Sequence, residues 1–326
     1  MTESVLQVEE LTLSFRTAAG LIRVLRGVSF DIRAGELVGL VGESGSGKSV
    51  TAQAVARLLP EETTVVESGR ILFAGRDVCT MTEAEMREIR GRRIGYVFQE
   101  PMTALNPAMT VGDQLMHVIR HHHGCSRREA RQRVQRALEE VLIHQPDLVA
   151  RQYPFELSGG MRQRIVIALA MSANPALLIA DEPTTALDVT VQAEILKLIL
   201  RLARQHGTAV LFITHDLGVV SQICERMVVL YAGEVVERGP VREILRHPNH
   251  PYTRALLRAV PDVARRGEPL QAIPGELPDL RHLPPGCVFA PRCVHRMERC
   301  DTRPPLRGSG DTAVACWWSG QEVPNR

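Results

Sequence analysis

The sequence predicts an α/β fold with parallel strands in its core and a loop-rich carboxyl-terminal extension. Short apolar runs, typical of buried parallel strands, are separated by longer stretches with helical periodicity. These runs lie at residues 36–41, 176–180 and 209–213. Of the 20 prolines, 13 lie from Pro240 onward, where they would break long helices. We therefore expect an α/β domain over residues 1–240 and a second, smaller domain over residues 241–326.

Two stretches of the first domain depart from the alternating α/β pattern. Val24 to Ile32 roughly alternates apolar and polar side chains around an expected turn at Arg26-Gly27, which predicts antiparallel strands with one exposed face. Between Gln99 and Phe155 the strand signal disappears and helical periodicity replaces it. We expect an amino-terminal antiparallel β-subdomain and a helical subdomain over about residues 100–170.

Composition and charge exclude several classes of protein. Lys and Arg total 39 and Asp and Glu total 37, so the net charge of +2 lacks the basic excess of a dedicated nucleic-acid-binding protein. No apolar run approaches the roughly 20 residues of a membrane-spanning helix. The run Met1–Val5 carries an acid where a secretory signal needs positive charge. We expect a cytoplasmic globular protein that binds no nucleic acid.

A glycine-rich loop follows the first predicted parallel strand. Its sequence matches the pattern G-x-x-x-x-G-K-S and opens a predicted helix, which is the context that makes the pattern credible. The glycines let backbone N–H groups point inward, Lys48 reaches the β- and γ-phosphates, and the Ser49 hydroxyl ligates Mg²⁺. The sequence therefore predicts a phosphate-loop NTPase that binds ATP and Mg²⁺. The loop residues are Gly42, Glu43, Ser44, Gly45, Ser46, Gly47, Lys48 and Ser49.

Two acids, Asp181 and Glu182, close the apolar run at residues 176–180. Buried carboxylates at a strand end usually face a cation or a reacting water. We expect Asp181 to support the Mg²⁺ shell and Glu182 to act as the general base that polarises the attacking water. An acidic loop facing solvent is the alternative, but a pair of acids closing so apolar a strand disfavours it.

The run Leu157-Ser158-Gly159-Gly160-Met161-Arg162-Gln163 resembles the signature of the ATP-binding cassette family. The resemblance covers residues 1 to about 240. It implies that the Ser158 hydroxyl and the amides of Gly159 and Gly160 donate hydrogen bonds to a γ-phosphate. The chain departs from the commonest signature at Met161, where glutamine is usual, which affects only the contact made by that position.

Other marks of the cassette family stand in the expected order along the chain. The resemblance implies that Gln99 and His215 join Glu182 as catalytic residues, Gln99 also as a Mg²⁺ ligand and His215 as a donor to the γ-phosphate. It further implies that Phe15 stacks on adenine and that Asp188, in the run Ala186-Leu187-Asp188, contributes to nucleotide binding. In the family two cassettes pair head to tail, with each ATP between the phosphate loop of one and the signature of the other. The resemblance therefore implies a second cassette subunit.

Several runs resemble, more narrowly, the oligopeptide/dipeptide branch of bacterial importers. They are Gly42–Ser49, Gln99–Pro107 and Ser158–Arg164 in the first domain, with His247–Leu257 and Gly286–Cys293 in the extension. The resemblance implies an ATP-hydrolysing subunit peripheral to the cytoplasmic face of the membrane. Its implied partners are a second, different cassette, two membrane permease subunits and an extracytoplasmic substrate-binding protein. Peptides, nickel chelates and glycans all stay open as cargo.

Four of the seven cysteines gather in the extension, at Cys287, Cys293, Cys300 and Cys316. In a reducing compartment such a gathering predicts a metal site before a disulfide framework. Their spacing differs from the short C-x₂₋₄-C pairs of common zinc sites, and four thiolates also ligate iron–sulfur clusters. Because some members of the resembled branch carry a four-iron, four-sulfur (4Fe–4S) cluster on this extension, we expect that cluster. Zinc or four reduced thiols are the alternatives.

Two other classes of function compete with transport. A soluble cassette protein of DNA repair or of ribosomes predicts tandem cassettes or a long coiled-coil insertion, and the sequence has neither. A module that senses nucleotide without turnover predicts loss of Lys48 or Glu182, and both are present.

Overall fold

The computed structural model describes residues 4–185, 187–259 and 273–318, and these divide into two compact units. Each unit is built from several segments of the chain. The first comprises residues 4–6, 32–36, 80–185 and 187–212, and the second comprises residues 7–31, 37–79, 213–259 and 273–318.

Strands and helices are interspersed along the described residues. The strands are β1 (Ser4–Thr17), β2 (Gly20–Arg33), β3 (Leu37–Val41), β4 (Thr64–Phe73), β5 (Arg76–Asp77), β6 (Ile94–Val97), β7 (Leu177–Asp181), β8 (Ala209–Thr214), β9 (Arg226–Tyr231), β10 (Glu234–Pro240), β11 (Arg307–Ser309) and β12 (Thr312–Val314). The α-helices are α1 (Lys48–Val55), α2 (Glu83–Ile89), α3 (Pro101–Ala104), α4 (Val111–His123), α5 (Arg127–Glu140), α6 (Pro146–Val149), α7 (Gly159–Met171), α8 (Val189–His206), α9 (Leu217–Ile223), α10 (Val241–Arg246) and α11 (Pro251–Ala259). Short 3₁₀ helices lie at Val78–Thr80, Pro154–Glu156, Ala290–Arg292 and Glu298–Asp301.

The expected antiparallel β-subdomain is present as a four-stranded sheet in the order β2-β1-β4-β5, most of it in the second unit. The expected turn at Arg26-Gly27 is wrong, because β2 continues through these residues. Gly27 has a φ of 71°, and its N–H donates to the Thr12 hydroxyl at 3.1 Å. Gly27 therefore has a left-handed conformation within a continuous strand, and the chain does not reverse there.

Buried parallel strands, as the apolar runs predict, occur in both units. In the second unit β3 pairs with β9 in parallel, from Val38 opposite Arg226 to Val41 opposite Val229. In the first unit β6 pairs with β7 in parallel, from Ile94 opposite Leu177 to Val97 opposite Ala180. The loops that follow paired parallel strands emerge at the same edge of the sheet, so each register determines which loop residues become neighbours.

The chain between β6 and β7 is helical and, although every residue of it is described, contains no strand. Helices α4 and α5 begin at side-chain caps, where the hydroxyls of Thr110 and Ser126 accept backbone N–H groups. The buried face of α5 is formed by Ala130, Val134 and Leu138, at the spacing of a single helical face. The expected helical subdomain is thus present.

The extension is loop-rich, as its prolines predict, and it joins the sheet of the second unit. Strand β12 pairs antiparallel with β10, with Glu237 opposite Val314, and β11 pairs with β12. The Trp317 indole N–H donates to the Thr302 carbonyl at 3.0 Å, and the Arg299 guanidinium lies 3.9 Å from the centre of the Trp317 ring. Backbone pairing and cation–π contacts therefore order residues 273–318, where the structure describes 3₁₀ helices but no α-helix.

Helix α11 begins at a buried histidine cap. The Glu237 carboxylate accepts the N–H groups of Asn249 at 2.8 Å and of His250 at 3.0 Å. His250 Nδ1 in turn accepts the Tyr252 N–H at 3.0 Å, which requires that nitrogen to be unprotonated. Burial lowers the pKa of His250 from 6.5 to about 3 and raises the pKa of Glu237. His250 is therefore a neutral helix cap throughout the physiological pH range.

Among the described residues, no helix is both long and apolar enough to span a membrane.

We predict that His250 makes the folded protein sensitive to mild acid. Since the folded pKa is depressed, the unfolded chain binds the proton first, and stability present above pH 6.5 is lost as the pH falls toward 3. Between about pH 7.5 and about pH 5.5 this loss is about 1.4 kcal/mol. Thermal unfolding followed by circular dichroism at several pH values measures it.

The variant His250→Asn keeps a capping acceptor and removes the titration. We expect its unfolding free energy to depend less on pH than that of the wild type, whereas the exposed control His144→Asn keeps the wild-type dependence. The contribution of Glu237 is common to all three proteins and cancels in the comparison. Parallel pH profiles for wild type and His250→Asn would contradict the assignment.

Candidate functional site

The phosphate loop lies against the end of β9 because β3 and β9 are paired in parallel. Its first residue, Gly42, has a φ of 155°, and a Cβ atom there would lie 2.2 Å from the Leu230 carbonyl oxygen and 2.7 Å from the Ser46 hydroxyl. No residue with a side chain fits this approach. Gly47, with a φ of 103°, precedes α1 and provides no side-chain cap.

Lys48 is buried at the start of α1, with 4% of its surface exposed. Its ammonium donates to the carbonyl oxygens of Gly42 and Glu43, each at 2.9 Å. The Ser46 hydroxyl oxygen is buried and has no hydrogen-bond partner among the described residues. A helix that begins without a side-chain cap presents its partial positive charge to the preceding loop. The buried cation, the unmatched hydroxyl and the helix start together fit a polyanion such as a triphosphate.

Two further predicted site residues also lie in the second unit. Phe15 is half-buried near the end of β1. His215 is exposed and directly follows β8, and the loop after it is held by Asp216, whose carboxylate accepts the Gly218 N–H at 2.8 Å and caps α9. The roles of Phe15 in adenine stacking and of His215 toward a γ-phosphate stay predictions.

The first unit brings Gln99, Asp181 and Glu182 to one edge, as the register of β6 and β7 requires. Gln99 Nε2 donates to Glu182 Oε2 at 3.4 Å, and the Thr185 hydroxyl donates to the same oxygen at 2.9 Å. Asp181 is the buried last residue of β7 and accepts the Tyr96 hydroxyl at 2.9 Å. The two carboxylates therefore have separate, specific partners.

Glu182 has an unusual backbone conformation for a residue with a side chain, since its φ is 45°. Such conformations cost of order 1–3 kcal/mol and persist where the surroundings impose them. The Thr185 N–H donates to the Glu182 carbonyl at 3.3 Å, so one turn holds both the backbone and the carboxylate. The conformation fixes the direction in which the carboxylate leaves the strand.

Sequence patterns do not identify Tyr96 and Thr185, the partners of the two acids. Burial and, next, the charge of Asp181 raise the pKa of Tyr96, so its hydroxyl stays protonated and can only donate to the carboxylate. Thr185 follows the two acids after Pro183 and Thr184, and the spacing of a tight turn is the one signal that points to it.

The signature run forms the start of α7. The Ser158 hydroxyl accepts the Met161 N–H at 3.3 Å and caps the helix, and because this bond uses the backbone, methionine in place of glutamine does not disturb it. A Cβ atom at Gly160 would lie 2.8 Å from Val191 in the first turn of α8. Asp188 caps α8 by accepting the Val191 N–H at 3.0 Å, so its side chain has a structural partner. Ala186 lies outside the described residues.

The expected 4Fe–4S cluster on Cys287, Cys293, Cys300 and Cys316 is wrong. Within residues 4–185, 187–259 and 273–318, no group of three or more His, Cys, Asp or Glu side chains is arranged to hold a metal ion. All four cysteines are free thiols.

These cysteines lie in surroundings that favour the protonated thiol. Burial raises the pKa of Cys287 to about 12, and it also raises the pKa values of Cys293 and Cys316. The Cys287 N–H donates to the Cys300 carbonyl at 2.8 Å, so the backbone itself joins two parts of the extension.

Two family models match the chain. The model described as ABC transporter matches residues 25–185, and the model described as oligopeptide/dipeptide transporter, C-terminal region, matches residues 236–300. The phosphate loop, the signature and the two acids all lie within the first match, and Cys287 to Cys300 lie within the second.

Curated relatives are similar over nearly the whole chain. The probable D,D-dipeptide transport ATP-binding protein DdpD of Escherichia coli (strain K12) is 51% identical, over 99% of this chain and 99% of its own. The dipeptide transport ATP-binding protein DppD of Bacillus subtilis (strain 168) is 49% identical, over 98% and 96%. The oligopeptide transport ATP-binding protein OppD of the same strain is 48% identical, over 96% and 88%.

Solved structures are similar over about three quarters of the chain. The ATP-binding cassette MJ0796, a dimer in a post-hydrolysis state bound to ADP and Pi, has a TM-score of 0.65 and 29% identity, over 73% of this chain and 99% of its own. The cbiO1 protein of Clostridium perfringens, part of the cbiONQ ABC transporter complex, has a TM-score of 0.64 and 29% identity, over 75% and 92%.

We predict that Gly42→Ala destabilises the protein more than an ordinary substitution at a positive φ. The new methyl group overlaps a backbone oxygen at 2.2 Å, and overpacking of this kind costs about 1–3 kcal/mol beyond the backbone strain. The matched control is Gly20→Ala, where φ is 107° and no atom lies within 4 Å. Urea unfolding of the two variants measures the difference, and equal free energies of unfolding would refute the close approach.

Proposed function

We propose that this chain, which belongs to the oligopeptide and dipeptide branch of the ABC transporter family, drives uptake of peptides across the cytoplasmic membrane. As a member of that family it is the subunit that binds and hydrolyses ATP. Similarity to dipeptide and oligopeptide transport ATP-binding proteins over nearly the full chain is the observation that carries the proposal. The phosphate loop supports it, because its buried lysine and helix start suit a triphosphate.

In the proposed mechanism the second unit supplies the groups that hold the nucleotide. The Lys48 ammonium has three donors, so it keeps its two carbonyl partners and also donates to a phosphate oxygen, and the start of α1 adds partial positive charge. The Ser46 hydroxyl gains a partner, and Phe15 stacks on adenine. His215 donates a hydrogen bond to the γ-phosphate. The contacts of Lys48, Ser46 and His215 hold the phosphate charge in place for the reaction, and that of Phe15 holds the base.

The first unit supplies the base. Glu182 takes the proton of the water that attacks the γ-phosphate, and the hydrogen bonds from Gln99 and Thr185 fix the carboxylate for that transfer. Asp181, Ser49 and Gln99 offer the hard oxygen ligands that Mg²⁺ prefers, and we assign them to it. When bound, Mg²⁺ neutralises charge on the β- and γ-phosphate oxygens.

A complete transporter requires several chains. We propose that Ser158, Gly159 and Gly160 contact the ATP bound by a second, different cassette, and Asp188 contributes to the same nucleotide contacts. The dimeric post-hydrolysis state of a similar cassette supports such a pairing. The helical subdomain docks on two permease subunits at the cytoplasmic face, and an extracytoplasmic binding protein delivers the peptide. ATP closes the cassette pair, and hydrolysis reopens it.

We expect Glu182→Gln to retain ATP binding and to lower kcat by about 10²-fold or more, because an amide cannot accept the proton of the attacking water. Steady-state ATPase assays and equilibrium ATP binding measure the two effects separately. The control Glu139→Gln removes an exposed carboxylate from α5 and keeps wild-type turnover. Near-normal turnover of Glu182→Gln would refute the role of this carboxylate.

We also expect the ATPase activity to depend on assembly. A dilute monomer has low activity, since its phosphate loop and its signature serve different composite sites. Addition of the second cassette and the permeases in lipid vesicles raises the activity, and peptide with the binding protein raises it further. Full activity of a demonstrable monomer contradicts the pairing. Stimulation by nickel chelates or glycans and not by peptides contradicts the proposed cargo.

A further inference from the structure

The extension holds the second residue of the phosphate loop, Glu43, by two groups. The Glu43 N–H donates to the Tyr252 hydroxyl at 2.8 Å. The Glu43 carboxylate accepts two hydrogen bonds from Arg292, from Nη1 at 2.7 Å and from Nη2 at 3.1 Å. Tyr252 and Arg292 lie 209 and 249 positions farther along the chain. The phosphate loop is therefore held in part by residues that lie far outside its own sequence motif.

Arg292 is firmly placed for this contact. Its side chain is 5% exposed, its Nε donates to the Pro274 carbonyl at 2.8 Å, and Nη1 also reaches the Tyr231 hydroxyl at 3.3 Å. Burial lowers the pKa of Arg292, but its hydrogen bonds to Glu43 and Tyr231 outweigh burial, and the net direction is upward. Because several groups already hold the planar guanidinium, its two parallel hydrogen bonds to Glu43 cost little further conformational entropy.

Tyr252 is equally fixed. It is fully buried, and its ring packs on the rings of Tyr231 and Phe289, with centroids 4.6 Å and 5.4 Å away. Burial raises the pKa of Tyr252, so the hydroxyl stays protonated while its oxygen accepts the Glu43 N–H. Packing of the aromatic rings thus places the Tyr252 hydroxyl oxygen at the backbone of the loop.

The position of Glu43 determines the position of the loop lysine. The Glu43 carbonyl accepts the Lys48 ammonium at 2.9 Å and the Ser46 N–H at 3.2 Å. All three hydrogen-bonding parts of Glu43 are therefore engaged, the N–H and the carboxylate by the extension and the carbonyl by the loop. A shift of the Glu43 peptide would move the carbonyl that orients Lys48.

Charge gives the contact a second purpose. Glu43 places a carboxylate, of which 27% of the side chain is exposed, in a loop that binds a polyanion. Like charges repel strongly where water is partly excluded. The bidentate ion pair with Arg292 neutralises the negative charge of the Glu43 carboxylate.

We propose that Arg292 and Tyr252 are positioning residues for ATP binding, which hold Glu43 in place and neutralise its carboxylate. This inference rests on the proposed function, in which the loop binds ATP. It makes the extension part of the nucleotide site, although neither residue touches the nucleotide itself.

Binding of a fluorescent ATP analogue with Mg²⁺ to the purified full-length chain tests the proposal. We expect Arg292→Gln to raise the Kd about tenfold, since a charge-assisted hydrogen bond of typical strength is lost. Tyr252→Phe, which keeps the ring and removes the hydroxyl, should raise it about threefold. The control Arg296→Gln breaks an exposed ion pair with Asp301 in the same extension and should leave the Kd unchanged.

A double variant separates charge neutralisation from general disruption. Arg292→Gln leaves the Glu43 carboxylate unpaired, so Glu43→Gln in the same chain should restore much of the affinity, and added salt should weaken the single-variant defect. Arg292→Lys, which keeps the charge and loses the fork, should fall between wild type and Arg292→Gln. In the assembled transporter we expect KM for ATP to rise with kcat little changed, because a binding contact is altered.

The outcomes are distinguishable. A wild-type chain that binds no ATP analogue overturns the proposed function. Wild-type binding together with unchanged affinity in both Arg292→Gln and Tyr252→Phe overturns the positioning role. A double variant as weak as Arg292→Gln overturns charge neutralisation. If Arg292→Gln fails to fold by circular dichroism, Tyr252→Phe decides, and wild-type affinity in Tyr252→Phe then overturns the proposal.

Discussion

Parallel pairing of buried strands is the constraint on which the placement of the chemistry depends. In one unit it brings the loop after β3 against the end of β9, and in the other it brings the segment after β6 beside the end of β7. Strands buried on both faces are continuous apolar runs, so polar residues are confined to their ends. Register places Gln99 and Glu182 side by side, since each lies two residues beyond the pair Val97 and Ala180, and the turn at Glu182 completes their hydrogen bond.

The same pairing explains how the extension reaches the phosphate loop. Strand β9 ends at Tyr231, whose ring packs on Tyr252 and Phe289 of the extension, so the aromatic cluster forms directly beside Gly42. The two tyrosine hydroxyls of the cluster both have partners, Arg292 for Tyr231 and the Glu43 N–H for Tyr252, as the low dielectric of an interior requires. Apolar packing thus brings the extension to the loop, and polar contacts fix its position there.

Much of the fold and site was predictable because the relevant signals are local. Apolar runs, a glycine-rich loop and acids at a strand end each lie within a few consecutive residues. The partners Arg292 and Tyr252 were not predictable, since contacts across 249 and 209 positions leave no local pattern. A single glycine at Gly27 is compatible with a turn or a continuous strand, and only neighbouring strands decide. The positions of the cysteines in the sequence likewise show neither the burial nor the orientation of their thiols, so they could not show whether a metal site forms.

The pairing of β12 with β10 has a consequence for the edge of the sheet. Without the extension, β10 would expose a row of unpaired backbone N–H and C=O groups, which is a template for intermolecular strand addition. With the extension in place, the edge strand is β11, which has only three residues and offers little for another chain to pair with. The extension therefore acts as a cap against aggregation, so a cassette of this branch that lost it would need another cover for β10 to stay monodisperse.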